Sequence, residues 1–200
     1  MVGKFLRGLA LSVSVCLLAS AATAQQIKIV ALGHSAFVSQ AVPTKEDYPA
    51  QLQGALRARG YDVEVSNAGV WGDTTSGVLR RLDKAVPDGT RIVLLHIGAN
   101  DRSHGRPQSE VDQNIGTIIM RIRAKGARVI QFRDAPPPAG VAYPMVEVWP
   151  DRVIIPGIRF RTPEEYRMNG GPLLGAGSKA VVERTLPVVE ELIAELQDGS

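Results

Sequence analysis

The chain has 200 residues, 44% hydrophobic and 22% charged, a mixture that suits one globular domain with a real core and excludes disordered, fibrous and collagen-like classes. Its net charge is +3, and its single cysteine, Cys16, excludes an intramolecular disulfide and a multi-cysteine zinc site.

At the N-terminus, Lys4 and Arg7 precede an uncharged apolar run from Leu9 to Leu18 that ends in Ala22-Thr23-Ala24, the pattern of a secretory signal peptide cleaved before Gln25. A run of about ten residues is too short to span a bilayer as a helix, and no later run reaches the roughly 18 that a span requires. Cys16 does not read as a lipoprotein site, because Val15 before it is larger than the small residue such a signal uses. The expectation is an exported protein, periplasmic or secreted, with residues 1–24 as leader and 25–200 as a single domain. Cleavage would remove two basic residues, no acidic ones and the cysteine, so the charge falls from +3 to +1. A nearly neutral domain gives no support to a nucleic-acid partner or to disulfide chemistry.

Short β-branched runs then alternate with longer segments of helical period, the pattern of a parallel sheet covered by helices on both faces. Ile27 to Leu32 is the first strand. Asp47 to Arg59 is a helix with Tyr48, Leu52, Ala55 and Leu56 on one stripe and Gly60 as its stop. Asp62 to Ser66 follows as a short strand. The next helix, Thr74 to Ala85, is capped by Asp73 or Thr74, turns Val78, Leu79 and Leu82 inward, and ends at Pro87-Asp88-Gly89. Arg91 to Ile97 is a nearly continuous apolar strand, buried on both faces. Ser109 to Lys125 is a helix with Val111, Ile115, Ile118, Ile119 and Ile122 at core spacing, and Ala127 to Phe132 is the fourth strand. Residues 133–172 are the least readable, with Ala135-Pro136-Pro137-Pro138 excluding helix and central strand, and with Arg152 to Ile155 as the one suggestion of a fifth strand. A last helix, Gly177 to Leu196, is expected to be interrupted and bent at Pro187.

Chemistry in open α/β sheets sits beyond the carboxyl ends of the strands. The segments there are Gly33-His34-Ser35, Asn67-Ala68-Gly69-Val70-Trp71-Gly72-Asp73, Gly98-Ala99-Asn100-Asp101 and Asn169-Gly170-Gly171-Pro172. Taken singly, each is an ordinary glycine-bearing turn. Taken together with Ile29-Val30-Ala31-Leu32 before the first of them and with Tyr48-Pro49-Ala50-Gln51-Leu52, they make the chain resemble the SGNH (GDSL-type) hydrolases, especially the secreted thioesterase I and lysophospholipase-like esterase branch. The resemblance runs from Ile27 to about Leu196. It implies a three-layer α/β/α flavodoxin-like sandwich with a parallel sheet of about five strands, and a serine hydrolase acting on esters without a cofactor. Carried over, Ser35 is the nucleophile, and the oxyanion donors are the Ser35 N–H, the Gly72 N–H and the Asn100 side-chain amide. Donors fixed before reaction stabilise charge that appears only in the transition state, each worth about 3 kcal/mol.

Two departures qualify this reading. The family has aspartate before the serine, where this chain has His34. The family's last block reads Asp-x-x-His and supplies the orienting carboxylate and the general base; the matching positions here are Asn169 and Pro172. Proline has no proton acceptor on its side chain, and asparagine cannot hold an imidazolium as a carboxylate does.

Three histidines are left as substitutes. His34 adjoins Ser35, and adjacent side chains diverge, which argues against direct contact with the nucleophile. His96 reads as a core histidine of the third strand. Strands one and three are neighbours in a flavodoxin-like order, so His34 and His96 can approach each other, and with Asp73 or Asp101 they suggest at most a two-histidine metal site with no ligand spacing behind it. His104 reads first as a solvated loop residue, and it is also the best-placed substitute base. Arg80-Arg81 and Arg121-Arg123 read as outward, solvated helix faces. Glu164 and Glu165 suit the first turn of a short helix, and Trp71 and Trp149 are candidates to line an acyl or sugar pocket.

Two functions stand level on this reading. One is an exported ester hydrolase with an unorthodox or missing base and weak activity. The other is a catalytically inactive relative that binds an acyl, carbohydrate or cell-wall ligand in the same cleft. Either would act as a monomer on a small molecule, with no metal.

Overall fold

The computed structural model describes residues 26–35, 37–38, 47–132, 152–154 and 175–198. β1, Ile27–Gly33, is buried along its length apart from Lys28, because it lies in the middle of a parallel sheet. It pairs on one side with β2, Val63–Gly69, and on the other with β3, Thr90–His96. β4, Arg128–Gln131, continues the sheet from β3, and β5, Arg152–Ile154, closes it, giving the order β2-β1-β3-β4-β5. All four pairings are parallel. This is the expected flavodoxin-like arrangement, in which β1 and β3 flank the point where the strand order reverses.

Successive strand residues face opposite sides, and the two faces are covered by different helices. On one face Ile29, Ala31, Ile92, Leu94 and Ile130 pack with α1, Tyr48–Ala58, and with the C-terminal helix. On the other, Val30, Leu32, Val93, Leu95 and Val129 pack with α2, Thr75–Ala85, and with the longer α4, Gln108–Ala124. Between β3 and α4 the chain makes one further short helix, α3, Ala99–Ser103. Capping side chains set the starts of α1 and α2: Asp47 Oδ1 accepts from the Ala50 N–H at 3.0 Å, and Thr74 Oγ1 accepts from the Gly77 N–H at 3.2 Å. Of the two residues expected to cap α2, Thr74 does so. α4 carries Val111, Ile115, Ile118, Ile119 and Ile122 inward, as their spacing predicts.

The C-terminal helix, α5, spans Gly175–Asp198 without interruption at Pro187, contrary to expectation. Losing one helical hydrogen bond to an internal proline costs about 3 kcal/mol. Val181, Val182, Leu186, Val189, Leu192 and Ile193 are buried on both sides of it. At about 1.5–3 kcal/mol for each large apolar side chain buried, their packing outweighs the proline.

Tyr48 ties α1 to α5. Its ring is buried against Phe37 and Phe132, with centroids 5.6 and 6.1 Å away, and its hydroxyl shares a 2.9 Å hydrogen bond with Thr185 Oγ1. Burial pushes the phenol above its ordinary value of 10.0, and the Thr185 bond lowers it in part. The unfolded chain therefore gives up this proton first, so stability falls as pH rises from the ordinary tyrosine value toward the raised native one. Tyr48→Phe is expected to cost about 1 kcal/mol at neutral pH and to flatten the decline above pH about 10. Urea unfolding on both sides of that pH checks it, and an unchanged alkaline slope would contradict the assignment.

Candidate active site

Three loops leave the carboxyl ends of β2, β1 and β3 side by side. Gly33 is in register with Gly69 on one side and His96 on the other. The pairing continues past the strands: the Val70 N–H donates to the Gly33 carbonyl at 3.0 Å, and the His34 N–H donates to the His96 carbonyl at 3.3 Å. A side chain at Gly33 would run into the His96 carbonyl, so glycine is required for this close approach. β2 extends to Gly69, which places Asn67, Ala68 and Gly69 in the strand and leaves the loop to begin at Val70. The strand is longer than its sequence suggests because β1 supplies a partner for each of these residues.

Ser35 is half-buried in the turn after β1. The Phe37 N–H closes that turn on the His34 carbonyl at 3.1 Å. Asn67 holds it from β2: its Nδ2 donates to the Phe37 carbonyl at 2.6 Å and to Asp47 Oδ2 at 2.9 Å. One asparagine thus fastens the turn that carries Ser35 to the N-terminus of α1.

Gly72 has φ +72°, a conformation that favours glycine, and none of the described residues lies within 4 Å of where its Cβ would be. The candidate oxyanion residue Asn100 lies in α3, which begins at Gly98, φ +110°. One Asn100 Nδ2 hydrogen donates to the Asp73 carbonyl at 2.7 Å. A primary amide has two such hydrogens, so this bond orients the second. The next residue, Asp101, is fully buried and accepts from the Thr75 N–H at 2.9 Å and from Thr75 Oγ1 at 2.7 Å. Asn114 Nδ2 of α4 donates to the same Thr75 hydroxyl oxygen at 3.0 Å. The loops after β2 and β3 are therefore joined twice, through Asn100 and through Asp101.

His34 and His96 do meet, with both rings buried and their centroids 4.6 Å apart at 43°. Phe37 and Phe132 stand edge-on to His96 at 6.1 and 6.4 Å, so the pair belongs to the aromatic cluster beside the turn that carries Ser35. Among the described residues, no three His, Cys, Asp or Glu come together as a metal site. His104 is exposed and ends α3, its N–H donating to the Asn100 and Asp101 carbonyls. The loop expected around it is thus a helical turn, formed because Asp101 and Gly98 start a helix immediately after β3. Asn169, Pro172, Trp149, Glu164 and Glu165 lie outside the described residues. Trp71 and Val70 are exposed beside Gly72.

The expectation of solvated arginines is corrected at two positions. Arg121 reaches from α4 to the Leu79 carbonyl and to Asp83, bridging two helices. Arg81 turns back along α2 to Asp73 Oδ2 at 2.8 Å and to the Gly33 carbonyl at 3.2 Å. Its signal was in the sequence: Asp73, Gly77 and Arg81 are spaced by four, which aligns them on one helix face.

Residues 31–164 match the GDSL-like lipase/acylhydrolase family, two thirds of the chain. The chain belongs to this family. It is 35% identical over 137 residues to an arylesterase of Vibrio mimicus, covering 66% of each protein. It is 32% identical over 136 residues to the esterase TesA of Pseudomonas aeruginosa, covering 66% of this chain and 67% of that one. Among solved structures, a crystal structure of TesA superposes with a TM-score of 0.66 at 24% identity, over 82% of this chain and 99% of the other. AlinE4, an SGNH-hydrolase family esterase, superposes at 0.61 with 24% identity, over 84% and 97%. These two structures share the fold.

The close approach of β1 and β3 gives the GDSL-like site a direct stability test. Gly33→Ala is expected to destabilise the protein by about 1–3 kcal/mol, the range for overpacking in a filled interior. Urea denaturation measures it, and a neutral substitution would contradict the strand-end geometry.

Proposed function

We propose that this chain is an exported acyl-ester hydrolase in which Ser35 Oγ attacks the ester carbonyl. The alcohol leaves, and water then releases the acyl group from Ser35. The developing oxyanion is held by the Ser35 N–H, the Gly72 N–H and the Asn100 amide. The observation that carries this reading is the Asn100 amide, held on the Asp73 carbonyl at 2.7 Å so that its second hydrogen is oriented, with Gly72 one residue before Asp73 and clear of the described residues. Membership of a lipase/acylhydrolase family supports the reaction class.

The proposed hydrolase is slow, because Asn169 and Pro172 stand where the family's Asp and His supply the general base. His104, four residues beyond Asn100, is the proposed substitute, with His34 behind it. An oxyanion hole and binding without a working triad still give about 10³–10⁴-fold acceleration over water. Substrates in this proposal are small acyl esters, with Val70 and Trp71 offering an apolar rim to the acyl or alcohol group. The proline at the base position favours a second reading, a binding protein that uses the same cleft without turnover.

Hydrolysis of p-nitrophenyl acetate and longer acyl esters separates the two. Under the hydrolase reading, Ser35→Ala abolishes activity and Asn100→Ala lowers kcat about 10²–10³-fold, the cost of one oxyanion donor. Asn169→Asp combined with Pro172→His is expected to raise the rate by orders of magnitude, and His104→Ala to lower it. Equal background rates for the unaltered protein and Ser35→Ala would leave the binding reading.

A further inference from the structure

Asp73 and Arg81 are not explained by attack at Ser35 or by the three oxyanion donors, yet they touch every loop that carries one. The peptide on the N-terminal side of Asp73 joins it to Gly72. On its C-terminal side, the carbonyl of Asp73 itself accepts from Asn100 Nδ2 at 2.7 Å. Its carboxylate Oδ2 accepts from Arg81 Nε at 2.8 Å, and Arg81 Nη2 bridges onward to the Gly33 carbonyl at 3.2 Å. Gly33 lies two residues before Ser35. Neither side chain is well solvated, with 24% of Arg81 and 9% of Asp73 exposed. A planar guanidinium can address a carboxylate and a carbonyl at once, which a lysine ammonium on a flexible stem does with less directional control.

Gly77 completes the arrangement. It lies between Asp73 and Arg81 on the helix face, and a Cβ there would run into Asp73 Oδ1. That oxygen is also fixed by the Thr74 N–H at 3.0 Å. The absence of a side chain at residue 77 therefore leaves the carboxylate its seat against the helix.

We propose that Arg81 is a positioning residue: with Asp73 seated on Gly77, it acts as a strut that holds the nucleophile turn, the Gly72 peptide and the Asn100 amide in one fixed geometry. The inference rests on the hydrolase reading for its catalytic consequence and on the bonding geometry for the strut itself. A strut of this kind acts on transition-state alignment more than on substrate affinity, so it should be felt in kcat.

The test compares the unaltered protein with Arg81→Gln, Arg81→Lys and Gly77→Ala, and with Arg121→Gln as a control arginine on a neighbouring helix. Gly77→Ala is informative because alanine is the better helix former and displaces the carboxylate without touching Arg81. On p-nitrophenyl acetate, Arg81→Gln and Gly77→Ala are each expected to lose about 10- to 100-fold in kcat, the scale of a misplaced catalytic group. KM should stay within about twofold, Arg81→Lys should fall between, and Arg121→Gln should match the unaltered protein. Wild-type kcat in both Arg81→Gln and Gly77→Ala would overturn the proposal, as would a loss confined to thermal stability. If the unaltered protein shows no turnover, the hydrolase reading fails separately. The strut is then decided by ¹H–¹⁵N spectra: the Asn100 side-chain amide and the Gly72 amide should shift in Arg81→Gln and Gly77→Ala and stay in place in Arg121→Gln. Unmoved resonances in both variants would refute it.

Discussion

Asp73 engages its surroundings from both ends, its carboxylate bonded to Arg81 and its peptide carbonyl to the Asn100 amide. Loops beyond a sheet are ordinarily its most mobile part, so side chains grafted onto them need external fixing to act together. Here the fixing is done by groups that lie outside the candidate donor set. Asn67 ties down the turn that carries Ser35, Asp101 ties α3 to Thr75, and Asp73 links the loops after β1, β2 and β3 through Arg81 and Asn100. The value of such a network lies in alignment. A partly exposed ion pair adds little to stability, whereas donors already in place when charge develops lower a barrier directly.

Much of this was legible before any coordinates. Apolar spacing located α4, because Val111, Ile115, Ile118 and Ile122 recur at helical period with nothing competing. The glycine-bearing segments after β1, β2 and β3 do come together at one end of the sheet, and the flavodoxin-like order brings His34 against His96. What escaped was settled by tertiary context. Arg81 looks solvated from local charge alone, because its partners are a carboxylate two helical turns away and a carbonyl 48 residues distant. Asn67 to Gly69 reads as loop by composition and is strand because Ala31 to Gly33 pairs with it. Pro187 signals a break that the burial of α5 overrides.

The contrast between the oxyanion side and the base side carries the functional argument. Asn100 is held on the Asp73 carbonyl and Gly72 has a positive φ, which supports the proposed oxyanion site. In the proposed reading, Pro172 and Asn169 stand at the positions of the family's base and its orienting acid, and their side chains cannot take those roles. Electrostatic stabilisation and proton transfer are separable contributions. A site can keep the first while losing most of the second, and it then retains slow catalysis from its oxyanion donors and substrate binding. Burial of His34 and His96 in the aromatic cluster leaves exposed His104 as the histidine with solvent access next to Asn100.

In the proposed hydrolase, Ser35 is a reactive nucleophile facing a preformed oxyanion site. This is tested most directly by exposing the purified protein to diethyl p-nitrophenyl phosphate and locating any adduct by intact-mass and peptide mass spectrometry. The expected product carries one diethylphosphoryl group per chain, on Ser35, acquired more slowly in Asn100→Ala. An unmodified serine after prolonged exposure, or an adduct on a different residue, would contradict it.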